Sequence, residues 1–521
     1  MDTVAKQIIG VPLPVFGRPA SDPVVSLYRQ IYERIRGTIL GGGLAPGTRL
    51  PSSRTLAEDL GVSRNTVELA FSQLEAEGFL IRKVGAGTYV TTAIPGPERA
   101  PRKSRTPAPL PAAKAGRESL SKRGRSVVHA ASQAETDSSN HRLFAACLPS
   151  LESFPLRTWR RLVARHSRLW HREALFHGDA AGYRPLREAL ATYLATARGV
   201  KCDWRQILIL TSTQQALDLT ARLLFDPGDP VWLEEPGYLG ARAALASAGA
   251  NVVPVPVDAD GLTVEAGISL APAARLAYVT PSHQYPIGVT MSLGRRLALL
   301  EWAARASAWV IEDDYDSEFR YTGRPFAAMQ GLDVRGRVIY TGTFNKVLFP
   351  ALRLAYVVVP DGLVDAFTAA RTIVDGHSPS FMQAVLADFI VAGYLSSHIR
   401  RMRALYHERR DILLDAIAEH VADRIEVEAS ATGLHVTGWL GHGVDDREVS
   451  RSAADNGLDL PPLSRYYLTR HPRPGLMFNY ASVPPGDLRR GIGILATILG
   501  RLPDWSGRVV DNGSLPGAMV S

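Results

Sequence analysis

The sequence predicts a multidomain α/β protein: a winged helix-turn-helix head, a spacer, and a large domain built on a mainly parallel, doubly wound sheet. Three observations predict it. Residues 26–90 carry three short amphipathic stretches and then two strand-length runs around a glycine-rich turn. Residues 91–140 contain six prolines and no Phe, Trp or Tyr. From about residue 205, apolar runs of strand length alternate with helical ones, the pattern of βαβ units.

The chain has 521 residues, 46% hydrophobic and 21% charged, which is ordinary globular composition with room for two or three domains. Its two cysteines, Cys147 and Cys202, cannot build a disulfide framework or a four-cysteine metal site, so no metal is expected. There is no secretory leader pattern, and no apolar run approaches the roughly 20 residues that span a bilayer. A cytoplasmic protein with no membrane partner is the expectation. The net charge of +8 is unevenly spread: basic residues outnumber acidic ones ten to eight over residues 1–90, but nine to four over residues 91–140. Most of the excess therefore lies in the spacer, and basicity alone says little about nucleic acid.

In the head, Leu27, Ile31, Ile35 and Ile39 recur every fourth residue behind Ser26, a candidate cap. A second helix is expected over residues 53–60, stopped by Gly61. Ser63 then caps a third, in which Val67, Ala70, Phe71 and Leu74 form one apolar face. That leaves Arg64, Asn65, Thr66, Glu68 and Gln73 facing outward, the first three at the amino end, which in a helix-turn-helix enters the major groove. FLIRK and TYV, around Val84-Gly85-Ala86-Gly87, read as the wing, and Arg49, Arg54 and Lys83 lie nearby in sequence. Double-stranded DNA is the expected partner of this domain.

The spacer cannot bury enough apolar area to offset its ordering entropy and reads as a flexible, basic Pro/Ala-rich linker, with a root-mean-square span on the order of 40 Å. The boundaries that follow are 24–92 for the head, 93–140 for the linker and 141–500 for the large domain, with a frayed tail beyond. In the large domain QILIL precedes QQALDLTARLL, VWLEEP precedes GARAALASAG, LAYVTPSH precedes RRLALLEWAARA, and WVIEDDY and RVIYTGTF follow. Ligands of such a sheet bind at the carboxyl ends of its strands.

The segment TGTFNKVLFPALRLAY places Lys346 just past one of those ends. A lysine in a dry pocket can form a Schiff base with an aldehyde; a lone one is more often a snorkelling surface residue. Its companions favour chemistry. Asp313 ends an apolar run, as a carboxylate must that pairs with a pyridinium nitrogen, and Tyr315 offers a phenol to a 3-oxygen. Arg353, Thr343 and the hydroxyl turn Thr211-Ser212-Thr213 at a helix amino terminus suit a phosphate. Tyr238 in EEPGY is a stacking candidate.

Two resemblances rest on these motifs. GTRLPSSRTLAEDLGVSRNTVELAFSQLEAEGFLIRKVGAGTYV is similar to the winged helix-turn-helix of GntR-type bacterial repressors, which implies DNA contacts at Arg54, Arg64, Thr66 and Gly87. LTSTQQALDL, WLEEPGY, TPSHQYPIG, IEDDYDSEF and TGTFNKVLFPALRLAY resemble the fold-type I aminotransferase domain of MocR/GabR-type regulators, a GntR subgroup. That resemblance implies pyridoxal 5'-phosphate as cofactor and a smaller C-terminal α+β subdomain. Lys346 would carry the aldimine, Asp313 would take the ring nitrogen with adjacent Asp314 as a fallback, and Tyr315 would take the 3-oxygen. Tyr238 would stack on the ring, and Ser212, Thr213, Thr343 and Arg353 would hold phosphate. It further implies a head-to-tail homodimer.

The chain also departs from the aminotransferase pattern. Tyr285 stands where an asparagine tunes the cofactor oxygen, and Ser212 replaces a frequent glycine. Met477 occupies the slot of the arginine that grips a substrate carboxylate, with Arg473 in the preceding loop a candidate substitute. The expected function is a transcription regulator that binds operator DNA and senses pyridoxal phosphate, or an amino compound, through Lys346. The alternatives are a working aminotransferase that carries a DNA-binding domain and a DNA binder whose large domain only dimerises.

Overall fold

The computed structural model describes residues 26–83, 85–92, 120–134, 142–145, 148–169, 176–323, 326–469 and 473–501. Val84 of the wing turn, Cys147, residues 93–119 and 135–140 of the stretch read as linker, and the tail beyond 501 lie outside them. The chain divides into two compact units, one up to residue 112 and one from 113 onward.

The first unit is a winged helix. Helix α1 (Leu27–Leu40) buries Ile31, Ile35 and Ile39 but leaves Leu27 exposed, and Ser26 caps it through its carbonyl rather than its side chain. In α2 (Ser53–Leu60) Leu56, Ala57 and Leu60 turn inward, and Gly61 ends the helix in the left-handed conformation, φ +68°, that glycine adopts without a Cβ penalty. Helix α3 (Arg64–Ala76) buries Val67, Ala70, Phe71 and Leu74 against α1 and α2. Strands β1 (Leu80–Lys83) and β2 (Gly87–Val90) pair antiparallel to form the wing.

The second unit begins with α4 (Lys122–Ala134), which packs on a helix of the large domain and buries Ala130. The compositional reading of residues 93–140 as linker did not include this helix. Next come α5 (Leu156–Leu169) and α6 (Arg184–Arg198). The main sheet follows, with β3 (Ile207–Leu210), α7 (Thr213–Leu224), β4 (Pro230–Glu235), α8 (Leu239–Ser247), β5 (Asn251–Asp258), β6 (Gly261–Leu262), α9 (Val264–Leu270), β7 (Leu276–Val279), α10 (Leu293–Ala306), β8 (Trp309–Asp314), β9 (Val338–Thr343) and β10 (Ala355–Val358). It is α8 on which α4 packs.

The strand order is 3-10-9-8-7-4-5-6, with strands 9, 8, 7, 4 and 5 mutually parallel, β10 antiparallel to both β3 and β9, and β6 antiparallel to β5. The central strands are buried on both faces, so they read as continuous apolar runs rather than alternating ones. Helices α11 (Val364–Asp375), α12 (Ser380–Val391) and the 27-residue α13 (Tyr394–His420) lead to a three-stranded antiparallel sheet of β11 (Ile425–Val427), β12 (His435–Leu440) and β13 (Gly475–Asn479). Helices α14 (Asp446–Asp455) and α15 (Pro485–Leu499) complete it as the smaller α+β part. No single helix among the described residues is long and apolar enough to cross a membrane.

One buried ion pair ties the main sheet together. Arg198, the last residue of α6, donates from Nε to Asp314 Oδ2 at 2.8 Å, with side-chain exposures of 4% and 1%. The guanidinium also donates to Ser282 Oγ at 2.9 Å and to the Phe326 carbonyl at 3.0 Å, while Tyr340 on β9 donates to the same carboxylate at 2.6 Å. Arg198→Met leaves Asp314 buried beside Tyr340 without its cation, and a loss of about 3–5 kcal/mol is expected in chemical denaturation. Arg198→Met/Asp314→Leu should recover most of it.

Candidate functional site

In the first unit, Ser63 caps α3: its hydroxyl accepts from Thr66 N at 3.2 Å and shares a 2.8 Å hydrogen bond with Thr66 Oγ1. Because α3 turns its apolar face inward, Arg64 and Asn65 are exposed at its first turn, with Thr66 half-buried behind them. Arg54 stands exposed on α2, bonded to Glu58 at 3.3 Å. In the wing, Lys83 lies 5.2 Å from the centre of the Tyr89 ring. Gly87 adopts φ +113°, a backbone conformation that favours glycine, and a Cβ there would come within 3.0 Å of the Arg49 guanidinium. Glu68 departs from the expected outward pattern: it is half-buried and paired with Arg82 at 3.0 Å, which ties α3 to β1.

In the second unit, β10 runs antiparallel to both β3 and β9, so β3 is parallel to β9 and ends on the same side as strands 4, 7 and 8. The segments read as cofactor-binding emerge there, while Met477 lies on β13 of the smaller sheet and Arg473 just before it. Ser212 caps α7, accepting from Gln215 N at 3.3 Å, and Thr213 opens that helix. Tyr238 precedes α8 and is half-buried. Thr343 ends β9, its hydroxyl accepting from Asn345 N at 3.2 Å, and half-buried Lys346 follows on the same turn. His398 of α13 donates from Nε2 to the Val347 carbonyl at 3.0 Å, which anchors the turn from the other side. Arg353 is exposed and takes φ +51°, a strained conformation for a residue with a Cβ.

Adjacent residues of a strand face opposite ways, and β8 uses this. Asp314 is committed to Arg198 and Tyr340, so the fallback assigned to it fails on direction. Asp313 points the other way: Tyr278 on β7 donates to its Oδ2 at 2.7 Å, and its buried Oδ1 has no partner among the described residues. Burial pushes the Asp313 carboxyl up to about 7, against the Tyr278 hydrogen bond and the nearby Lys346 ammonium, which pull it down. A buried, unpartnered carboxylate oxygen beside an amine is what a protonated pyridine nitrogen would satisfy. With the helix terminus at Ser212–Thr213 and with Arg353, the residues present fit a phosphorylated pyridine aldehyde.

The Tyr285 hydroxyl pairs with that of Tyr466 at 3.2 Å, and its ring packs edge-on against Tyr238, Tyr315, Tyr466 and His435 at centroid distances of 5.5–5.8 Å. Met477 on β13 is buried in the same cluster with Leu239 and Leu463. Arg473, the candidate substitute, pairs with Glu426 at 2.6 Å, donates to the Leu440 carbonyl and lies over Trp439.

Sequence reasoning missed Tyr278, His283, Asp316, His435 and Tyr466. His283 Nδ1 lies 2.9 Å from Asp316 Oδ2 and 3.0 Å from the Tyr315 hydroxyl. His435 donates from Nε2 to the Pro286 carbonyl at 3.1 Å, and burial, with His283 and Lys346 nearby, holds its pKa well below the usual range. His283, Asp316 and His435 sit close enough together to suggest metal ligands, but hydrogen bonds already occupy Asp316 Oδ2 and His435 Nε2. The motifs TPSHQYPIG and IEDDYDSEF contained His283 and Asp316, but only the tertiary structure juxtaposes them.

Residues 27–90 match the model for bacterial regulatory proteins of the gntR family, and residues 150–492 match that for class I and II aminotransferases. The probable rhizopine catabolism regulatory protein MocR of Rhizobium meliloti is 42% identical over 475 residues, 91% of this chain and 94% of that protein. The pyridoxine biosynthesis transcriptional regulator PdxR of Corynebacterium glutamicum is 30% identical over 469 residues, 89% of this chain and 94% of that one. Among solved structures, the Pyrococcus horikoshii kynurenine aminotransferase, crystallised in complex with PMP, matches with a TM-score of 0.65 and 31% identity, covering 73% of this chain and 95% of that one.

The raised Asp313 pKa predicts a pH dependence. In cofactor-free protein the folded state keeps a proton that the unfolded chain loses in the ordinary carboxylate range near 4, so this group's contribution is fully present below that range. It is lost as pH rises through about 7. Asp313→Asn should therefore gain melting temperature relative to wild type between pH 5 and pH 8. A difference that stays constant across that range contradicts a neutral Asp313.

Proposed function

Given a chain that belongs to the MocR-type regulators of the GntR family, we propose that its aminotransferase-class domain holds pyridoxal 5'-phosphate and uses it to sense a small molecule rather than to turn one over. The chain is a transcriptional regulator whose GntR head binds DNA. Operator contacts are assigned to Arg49, Arg54, Arg64, Asn65, Thr66, Lys83 and Gly87. Arg64 and Asn65 read base edges from the first turn of α3, and the others hold the backbone. The chain is assigned a head at 24–92, a connecting segment at 93–140 that carries α4, and an effector domain at 141–500; it is placed in the cytoplasm, at the nucleoid when DNA-bound, as a head-to-tail homodimer.

The observation that carries the cofactor reading is the buried Asp313 oxygen that has no hydrogen-bond partner among the described residues, on a carboxylate within reach of the Lys346 charge. Asp313, backed by Tyr278, would take the ring nitrogen, Lys346 the aldehyde carbon, Tyr315 the 3-oxygen and Tyr238 a ring face. Ser212, Thr213, Thr343 and Arg353 would take the phosphate. When bound, the cofactor supplies an electrophilic carbon that an amine can reach and an electron sink behind it. The chain's own residues orient the ring, hold a proton at Asp313 Oδ1 and exclude water through the tyrosine cluster.

The effector class follows from the far wall. Met477, Tyr285, Tyr466 and Leu463 present thioether, aryl and alkyl groups where a carboxylate grip is needed, and Arg473 is held by Glu426. The signal is therefore an amine without an α-carboxylate, or the cofactor itself. The names of the relatives span this choice, one regulating rhizopine catabolism and one pyridoxine biosynthesis. The intact Lys346–Asp313–Tyr278 set keeps an active aminotransferase as the second reading.

Purified wild type should show the yellow absorbance of a lysine-bound cofactor, and Lys346→Ala should lose it. A colourless wild type, or colour unchanged in Lys346→Ala, refutes the cofactor reading, and sustained production of keto acid from an added amino acid, or of aldehyde from an added amine, establishes the enzyme instead of the sensor. For the head, Arg64→Ala should lower operator affinity at least about tenfold with the spectrum intact, since one good base contact is worth about 1–3 kcal/mol. Retained affinity overturns the assignment of α3 as the reading helix.

A further inference from the structure

We propose that Asp316 and His283 form a positioning dyad that fixes the direction of the Tyr315 hydroxyl, doing for the cofactor's 3-oxygen what the asparagine replaced by Tyr285 does elsewhere. The proposal rests on the cofactor reading above. Its starting point is a fully buried pair: His283 and Asp316 have side-chain exposures of 0% and 1% and lie 2.9 Å apart.

The slot is built for an imidazole. Gly433 adopts φ +95°, and a Cβ there would overlap the His283 ring. Gly288, φ +84°, closes the other side, where a Cβ would come within 3.2 Å of Nε2. His435 lies 4.9 Å away, ring to ring. His283 therefore has no room to turn, and Nδ1 must face both Asp316 and Tyr315.

Hydrogen-bond inventory then sets the proton. An ionised carboxylate only accepts, so the hydrogen between Asp316 Oδ2 and His283 belongs to Nδ1. That N–H also faces the Tyr315 oxygen at 3.0 Å, so the phenol cannot donate to His283 and its oxygen lies on the accepting side. Its own hydrogen must point away from the histidine. A phenol oxygen approached by an N–H donor is a stronger donor through its own O–H, because successive hydrogen bonds polarise one another. Asp316 thus fixes the tautomer, His283 fixes the phenol, and Tyr315 presents a directed O–H to an oxygen that carries negative charge in the bound cofactor. The dyad acts through Tyr315 and touches no reacting atom, so both members are positioning residues.

A directed donor at the 3-oxygen stabilises its negative charge and so lowers the pH at which the lysine-bound nitrogen releases its proton. The test is a spectrophotometric pH titration of the cofactor-loaded full-length protein, in which the surrounding Asp313, His435, Arg353 and Lys346 stay unchanged. His283→Ala and Asp316→Ala should each raise the midpoint by about one pH unit, the size expected for weakening one hydrogen bond to a charged group. Tyr315→Phe should raise it at least as far, and adding His283→Ala to Tyr315→Phe should change nothing more. Asp316→Ala leaves the slot filled and carries the test if His283→Ala does not fold. Midpoints unmoved by the dyad variants, or moved equally in the Tyr315→Phe background, overturn the proposal while the cofactor reading stands. A wild type that never colours removes both.

Discussion

The large domain is organised around two carboxylates that are neighbours in sequence and opposites in space. Strand alternation sends Asp313 and Asp314 to different faces of β8, and a doubly covered parallel sheet buries both. Two such charges side by side would be strongly unfavourable, so one must be neutralised within the protein. Arg198 does this from the end of α6, with Tyr340 and Ser282 completing the bonding. With the Asp314 charge paired, Asp313 has no cation bonded to it: Tyr278 holds one oxygen, and the other has no hydrogen-bond partner among the described residues. Everything proposed for the site depends on that division of labour.

Much of this architecture was legible in the sequence, because elements with strong local signals announce themselves. The strands 207–210, 230–235, 276–279, 309–314 and 338–343 were visible as short apolar runs, and Gly61 and Ser63 marked the turn between α2 and α3. Other features were hidden for physical reasons. Helix α4 escaped because Lys122–Ala134 lies in a proline-rich, aromatic-free stretch, and its stability comes from packing on α8 rather than from its own composition. The choice between Asp313 and Asp314 required knowing where Arg198, 116 positions earlier in the chain, places its guanidinium. Tyr278 could not be paired with Asp313 until the register of β7 against β8 was fixed. His283 was a letter in a motif until Gly433, on a different sheet's approach, made its slot.

The tyrosine cluster and the dyad describe a pocket that has exchanged grip for orientation. Where an aminotransferase pattern sets a guanidinium against the substrate and an asparagine against the cofactor, this chain places Met477 and Tyr285. On the reading proposed above, the means of holding an amino acid through its carboxylate is gone from that wall, and such a site would suit recognition by shape and hydroxyl contacts, with exchange at Lys346 as the readout.

Helix α13 gives the lysine turn mechanical reach. His398, near its amino end, holds the Val347 carbonyl, and the helix then runs unbroken to His420. At 1.5 Å per residue the segment beyond His398 is about 33 Å long, so a tilt of about 5° at the lysine end displaces the far end by about 3 Å. That far end borders β11, and Glu419 there lies 3.9 Å from Arg489 of α15. A rearrangement too small to matter for bonding at Lys346 would thus become, by leverage alone, a shift as large as a hydrogen bond where α13 meets α15.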